Sequence, residues 1–138
     1  FSKKYNNCNF TLRLHPMSKS DNIIKKIQVE TKKIKNFSLS FNSLEEDFSK
    51  NFFLIYRSSS LCISGSLKGL LPVYLEDKNF NMDPLFDINK SYKIKVPSDL
   101  GKILLFGEYK NFKNSKKIQM HSKKYFEKIN VNIIKKLL

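Results

Sequence analysis

The sequence predicts an α+β fold with small antiparallel sheets, a short central helix and a basic C-terminal helix. Three observations carry that expectation. Short alternating or apolar runs are separated by turns bearing Gly, Pro and Ser. Ser43-Leu44-Glu45-Glu46 forms a capping box near the middle of the chain. Near the end, Phe126, Ile129, Ile133 and Leu137 recur at helical spacing, with Ser122 as the cap.

Taken in order, residues 8–15 alternate Phe10, Leu12 and Leu14 against Thr11, Arg13 and His15, and predict a strand stopped by Pro16. Residues 23–35 fit both periods: Ile23, Ile24, Ile27 and Ile34 suit a helix, whereas Ile27, Val29 and Thr31 suit a strand. Their β-branched content favours the strand. Phe37, Leu39 and Phe41 alternate with serines as a further strand. The capping box then opens a helix to about Lys50, with Glu45, Glu46 and Asp47 favouring its first turn. Phe52–Tyr56 and Leu61–Ser64 read as strands joined by Arg57 and the serines 58–60. Gly65 and Gly69 bound a turn into residues 70–75, which Pro72 marks as an edge or bulged strand. Residues 76–90 read as a polar loop. Tyr92, Ile94 and Val96 alternate with lysines as a strand, residues 97–101 read as a turn, and Ile103–Phe106 as a buried strand. Leu104 and Phe106 are then expected to point into the core. These elements divide the chain into a basic N-terminal extension (1–20), a β-rich core (21–107) and a basic, partly helical C-terminal segment (108–138).

Charge is distributed in the same pattern. The net charge of +14 splits into +7 over residues 1–36, −1 over 37–100 and +8 over 101–138. A near-neutral body with basic ends suits the binding of a polyanion, because clustered cations neutralise phosphates. A soluble, lysine-rich surface gives the same total charge without a partner. Only Arg13 and Arg57 are arginine, and alanine and tryptophan are absent. Phe, Tyr, Lys, Asn and Ile, all encoded by A/T-rich codons, make up half of the chain. That skew points to an A+T-biased genome and accounts for part of the lysine excess, though not for the scarcity of acids at the ends.

The expected phosphate contacts are Lys68, Lys102, Lys110, Lys113, Lys116, Lys117, Lys123, Lys124, Lys135 and Lys136. Phe112 and the pair Tyr125-Phe126 interleave with these cations and offer faces for base stacking, although helical core packing is the expected fate of Phe126. Lys68, between Gly65 and Gly69, reads either as part of a phosphate cradle or, more simply, as part of a turn. Catalytic chemistry is not expected. The chain carries no GxGxxG, P-loop, HExxH or GxSxG motif. His15 and His121 have no paired ligand spacing with Cys8 or Cys62, so no metal or other cofactor is expected. Cys62, in the run Leu61-Cys62-Ile63, reads as a small core residue. The serines 58–60 read as a turn and the carboxylates 45–47 as helix caps.

Two segments resemble the bacterial-type large-subunit ribosomal protein L-six family. Leu61–Leu71, LCISGSLKGLL, is similar to that family's strand, glycine-proline turn and second strand. Ser91–Pro97, Ile103–Gly107 and Glu108–Asn111 are similar to the strands and basic turn of its second domain. Ser66 stands where the family has proline, and Tyr109 and Asn111 stand where it has Asp and Gln. The resemblance implies two small α/β units bound to large-subunit ribosomal RNA without catalysis. The sequence-based expectation is therefore a structural constituent of an organelle ribosome's large subunit, contacting ribosomal RNA and neighbouring ribosomal proteins. Its compartment is the mitochondrion or, alternatively, a plastid-type organelle; the composition of residues 1–20 is compatible with a transit peptide. Competing readings are a β-rich lipid-surface module and an accessory subunit of an organelle membrane complex.

Overall fold

The computed structural model describes residues 3–18, 20–76, 82–88, 92–105 and 113–126. The chain divides into two compact units, Phe1–Lys50 and Asn51–Leu138. Both units contain helices and strands, so the α+β expectation holds. The expectation of antiparallel sheets does not, because both sheets are parallel. The physical reason lies in the connections. Parallel neighbours need a crossover, usually helical, where antiparallel ones need only a hairpin, and segments read as strands between β1 and β2 and between β3 and β4 are helices.

In the first unit, β1 (Phe10–Leu12) pairs with β2 (Phe37–Leu39) in the register Phe10↔Phe37, Thr11↔Ser38 and Leu12↔Leu39. The crossover between them is α1 (Asp21–Thr31), in the stretch for which a strand was expected. Its start decides the matter: the Ser20 hydroxyl accepts from the Ile23 N–H at 3.4 Å and Asp21 occupies the first turn. Ile24, Ile27 and Thr31 then form the half-buried stripe, while Val29, 76% exposed, falls on the solvent side. Helical period and cap thus outweigh β-branched propensity.

Helix α2 (Leu44–Lys50) begins at the expected capping box. Glu46 N–H donates to the Ser43 hydroxyl at 3.2 Å and Ser43 N–H donates to Glu46 at 3.4 Å. Its buried Asp47 gathers the unit together. Arg13, just past β1, donates to Asp47 at 2.6 Å, and Ser40, just past β2, donates to the same carboxylate at 2.7 Å. Arg13 also reaches the carbonyls of Asn42 and Ser43 at 2.9 and 3.4 Å.

In the second unit, β3 (Phe53–Tyr56), β4 (Leu71–Leu75) and β5 (Lys93–Ile94) form a parallel sheet in the order β3-β4-β5. The strand expected at Leu61–Ser64 is instead helix α3 (Leu61–Leu67), which links β3 to β4. A short apolar run bounded by turn residues fits a buried helix as well as a buried strand, and here Cys62, Ile63, Gly65 and Ser66 are all buried. The glycines do not bound a strand-to-strand turn. Gly65 lies inside α3, and Gly69, at φ 92°, closes it. Leu70 N–H donates to Gly65 O and Gly69 N–H to Ser66 O, a Schellman closure that requires left-handed backbone at Gly69.

Strand β4 is central rather than an edge, and Leu71–Tyr74 are buried. Pro72 is tolerated there because of its parity. Tyr74 and Glu76 send their N–H groups to Tyr92 O and Ile94 O, whereas Leu71 sends its own to Phe52 O on the opposite side. Pro72 shares the parity of Tyr74 but precedes the first residue of β4 paired with β5, so no described ladder bond is lost.

The turn expected at 97–101 and the strand at 103–106 are replaced over their described residues by helix α4 (Pro97–Leu105). Pro97 stands at its first position, where a missing N–H costs nothing. The Asp99 carboxylate accepts from the N–H groups of Lys95 and Val96 at 3.0 and 3.2 Å, bonds that hold its pKa below the ordinary value. Leu100 and Ile103 form the buried stripe. The side chain of Leu104, together with Phe106, lies outside what the structure describes. Helix α5 (Lys113–Lys124) packs against α3 through its buried Ile118 and Ser122. Ser122 is therefore interior to this helix and does not cap it; the expected stripe at Ile129, Ile133 and Leu137 lies outside the described residues.

Two expected outcomes follow from this packing. Ile94, fully buried on β5, is expected to cost about 2–5 kcal/mol when truncated to Ala, read as a lower urea midpoint with unchanged slope. Burial alone would raise the Asp47 pKa, but hydrogen bonds from Ser40 and Arg13 and the Arg13 charge outweigh it and bring it below the model-compound value of 3.8. A depressed folded-state pKa contributes stability above the unfolded value and loses it as pH falls through the folded one. The protein's melting temperature, followed in an acid titration, should fall in that window, and Asp47→Asn should flatten the fall.

Candidate nucleic-acid interface

A helix that buries one stripe must turn its remaining faces to water, and α5 turns lysines. With Ile118 and Ser122 against α3, residues Lys116, Lys117, Lys123 and Lys124 are exposed and have no ion-pair partner among the described residues. Lys113 belongs to the first turn of the same helix, within a turn of Lys116 and Lys117. Five of the ten expected phosphate contacts therefore sit on one helix. Part of this has an ordinary structural reason, since cations in the last turn complement the helix dipole. That applies to Lys123 and Lys124 but not to Lys116 and Lys117, which lie near the first turns, where cations are disfavoured.

The other expected contacts are not gathered there. Lys68 is the exposed C-cap residue of α3. Its place in the Schellman closure leaves no phosphate cradle of the kind the glycine spacing suggested. Lys102 is exposed on α4 but pairs with Asp99 at 3.3 Å, an interaction that a phosphate would have to replace. Lys110, Lys135 and Lys136 lie outside the described residues, as does Phe112. Tyr125 and Phe126 are both more than half exposed just beyond α5, so the core packing expected of Phe126 is not observed. His121, half-buried, makes an edge contact with the Tyr125 ring at 5.3 Å between centroids.

Sequence reasoning placed no contact in the first unit, although the +7 balance of residues 1–36 was the available signal. There, a cleft lies between the N-terminal segment and the turn after α1, with Lys3, Lys32, Lys33 and Lys35 on its walls.

A second cluster of polar chemistry is internal. Tyr56, Tyr74 and Lys93 stand side by side across β3, β4 and β5. Tyr56 donates to Asp83 Oδ1 at 2.6 Å, and Leu85 N–H donates to the same oxygen at 2.9 Å. Lys93 Nζ lies 4.0 Å from Asp83 Oδ2 and 5.6 Å from the Tyr74 ring centroid. This arrangement fastens residues 82–88, including the fully buried Leu85, onto the unit. Burial and the Asp83 charge also raise the Tyr74 phenol above its ordinary value. Among the described residues no group of three or more His, Cys, Asp or Glu side chains is placed to hold a metal.

The carboxyl ends of the three parallel strands bring further loops to one sheet edge. Arg57 and Ser58–Ser60 follow β3, Glu76 follows β4, and Lys95 follows β5, with Lys95 and Glu76 paired at 3.5 Å. Ser59 accepts from Leu61 N–H at 3.3 Å. Comparison with protein-family models, with curated proteins and with solved structures gives no match.

Cys62, fully buried, has its thiol pushed up to about 12 by burial and by the Asp83 charge. A raised thiol pKa favours the neutral form, so its stabilising effect is present at neutral pH and is lost as pH rises toward 12. Ellman's reagent at pH 8 should modify the half-buried Cys8 and spare Cys62 until denaturant is added.

Proposed function

We propose that the protein binds RNA through lysine–phosphate contacts and serves as a structural constituent of an organelle ribosome's large subunit, in the mitochondrion. The observation that carries the RNA reading is the α5 surface, where Lys116, Lys117, Lys123 and Lys124 are exposed and unpaired among the described residues. Unpaired surface cations add little to stability, and each phosphate they neutralise releases a counterion. The +14 charge and the A+T-biased composition support the organelle setting. The large-subunit assignment rests on the resemblance to the ribosomal L-six family alone; Leu61–Leu67 and Ile103–Leu105 are helical where that resemblance implies strands.

One further observation favours a second reading. Ligands of open parallel α/β sheets bind outside the carboxyl ends of the strands. The β3-β4-β5 sheet presents Arg57, the serines 58–60 and the Lys95–Glu76 pair at that edge. Arg57 and the serine hydroxyls there suit a small phosphate-bearing ligand of the nucleotide class.

One set of measurements separates the two. Changing Lys116, Lys117, Lys123 and Lys124 together to Gln is expected to leave the melting temperature nearly unchanged while weakening RNA binding. The slope of log K against log salt should become shallower by up to about three, at roughly 0.7 per lost contact on a single strand. RNA binding by the quadruple variant equal to wild type, or a salt-independent wild type, would sink the α5 assignment. Saturable binding of mononucleotides, lost in Arg57→Gln and kept in the quadruple variant, would favour the sheet edge. Co-sedimentation with ribosomal particles from the source cell tests the setting, and pelleting with anionic vesicles alone would favour the lipid-surface alternative.

A further inference from the structure

The first unit's cleft has two walls that are remote in sequence and held together by one side chain. Asn36 donates its side-chain amide to Tyr5 O at 2.9 Å and to Cys8 O at 2.8 Å, and its backbone carbonyl accepts from Phe10 N–H at 2.8 Å. The N-terminal segment is thereby pinned along the turn that follows α1. Ile34 N–H donates to Thr31 O at 2.8 Å and fixes that turn against the end of the helix. The result brings Lys3 to the same concavity as Lys32, Lys33 and Lys35, with Glu30 as the single acid on its walls.

The helix dipole explains cations directly after α1. It gives no reason for Lys3, which arrives from the other side of β1. All four lysines are exposed, and none has an ion-pair partner among the described residues. Four like charges around one concavity repel one another, and an anion entering it removes that repulsion.

We propose that this cleft is a second phosphate-contacting site, which takes the sugar-phosphate backbone of single-stranded RNA. The inference rests on the RNA-binding reading above and adds a site for which the sequence offered only a charge balance. The distribution of the lysines selects the ligand. They come from two segments remote in sequence and are spread over one concavity, so they suit consecutive phosphates of a chain better than one small anion. A bilayer surface is broad and cannot follow a concave wall, which disfavours lipid headgroups. Asn6, also on the wall, supplies an uncharged hydrogen-bonding group of the kind that contacts phosphate or sugar oxygens.

The test compares two triple variants of the full chain that remove equal charge from the first unit. Lys32, Lys33 and Lys35 changed to Gln empty one wall of the cleft; Lys25, Lys26 and Lys50 changed to Gln leave the cleft intact. Both should melt as wild type does. With a labelled oligouridylate as probe, the cleft variant should lose at least about tenfold in affinity at low salt, and its salt slope should be shallower by about two, at roughly 0.7 per contact. The control should lose clearly less. Equal losses in both variants would overturn the site in favour of generic charge. Unchanged RNA binding by the cleft variant overturns it outright, as does loss of phosphatidylserine-vesicle binding with RNA binding retained. A wild-type protein that binds no RNA defeats the RNA reading itself, and that failure is read before any variant is made.

Discussion

Strand β4 has neighbours on both sides and is buried along Leu71–Tyr74, and the second unit depends on that position. A central strand in a parallel sheet must satisfy its backbone on two edges, and its side chains face cover on both surfaces. Parallel pairing to β3 requires a crossover, which α3 supplies; parallel pairing to β5 requires another, which contains residues 82–88. The Tyr56–Asp83 hydrogen bond fixes part of that second crossover. It does so with a buried acid, which is costly to desolvate unless partnered. The Tyr56 hydroxyl and the Leu85 N–H meet one carboxylate oxygen and the Lys93 ammonium faces the other. Pro72 fits the same strand because the side on which it lacks a donor is not yet paired with β5.

The legible parts of this fold were those with local chemistry of their own. The α2 capping box is a four-residue signal with a single geometric solution, and both of its hydrogen bonds form. Residues 37–39 and 53–56 are strands where strands were expected. The illegible parts were short apolar runs whose period cannot be counted. Leu61–Leu67 spans barely two turns, too few for helical spacing to separate from a continuous strand. Pro97 and Asp99 opened a helix where they suggested a turn, because the residues that favour turns also favour helix starts. Strand direction was less legible still. It depends on whether the intervening segment is a hairpin or a crossover, so one mistaken helix reverses the inferred pairing.

The candidate contacts were legible as charge and not as place. Counting lysines identified the two basic ends, but only folding shows that Lys116, Lys117, Lys123 and Lys124 share a helix with a buried stripe. The Lys102–Asp99 pair could not be anticipated while residues 97–101 read as a turn. The first-unit cleft was invisible because Asn36 creates it: an asparagine in a polar stretch carries no sequence signal that its amide will bind carbonyls at Tyr5 and Cys8.

The distribution of acids ties the fold to the charge. Codon bias raises lysine throughout a chain, but it does not decide where carboxylates remain. Here Asp21 and Glu45–Asp47 occupy the first turns of α1 and α2, and Asp99 that of α4. Asp47 binds the ends of both first-unit strands to a helix, and Asp83 fastens residues 82–88 to Tyr56 of β3. Glu76 meets Lys95 at the strand ends. Of these acids, Glu46, Asp47, Glu76, Asp83 and Asp99 have hydrogen-bond or ion-pair partners, and substituting Asp47 or Asp83 would leave a buried donor unmatched. The lysines of α5 and of the first-unit cleft have no such partners among the described residues, so folding alone does not require their charge. Acids engaged in caps and buried contacts are not available to pair with these lysines, whose charge therefore stays on the solvent face of the described residues.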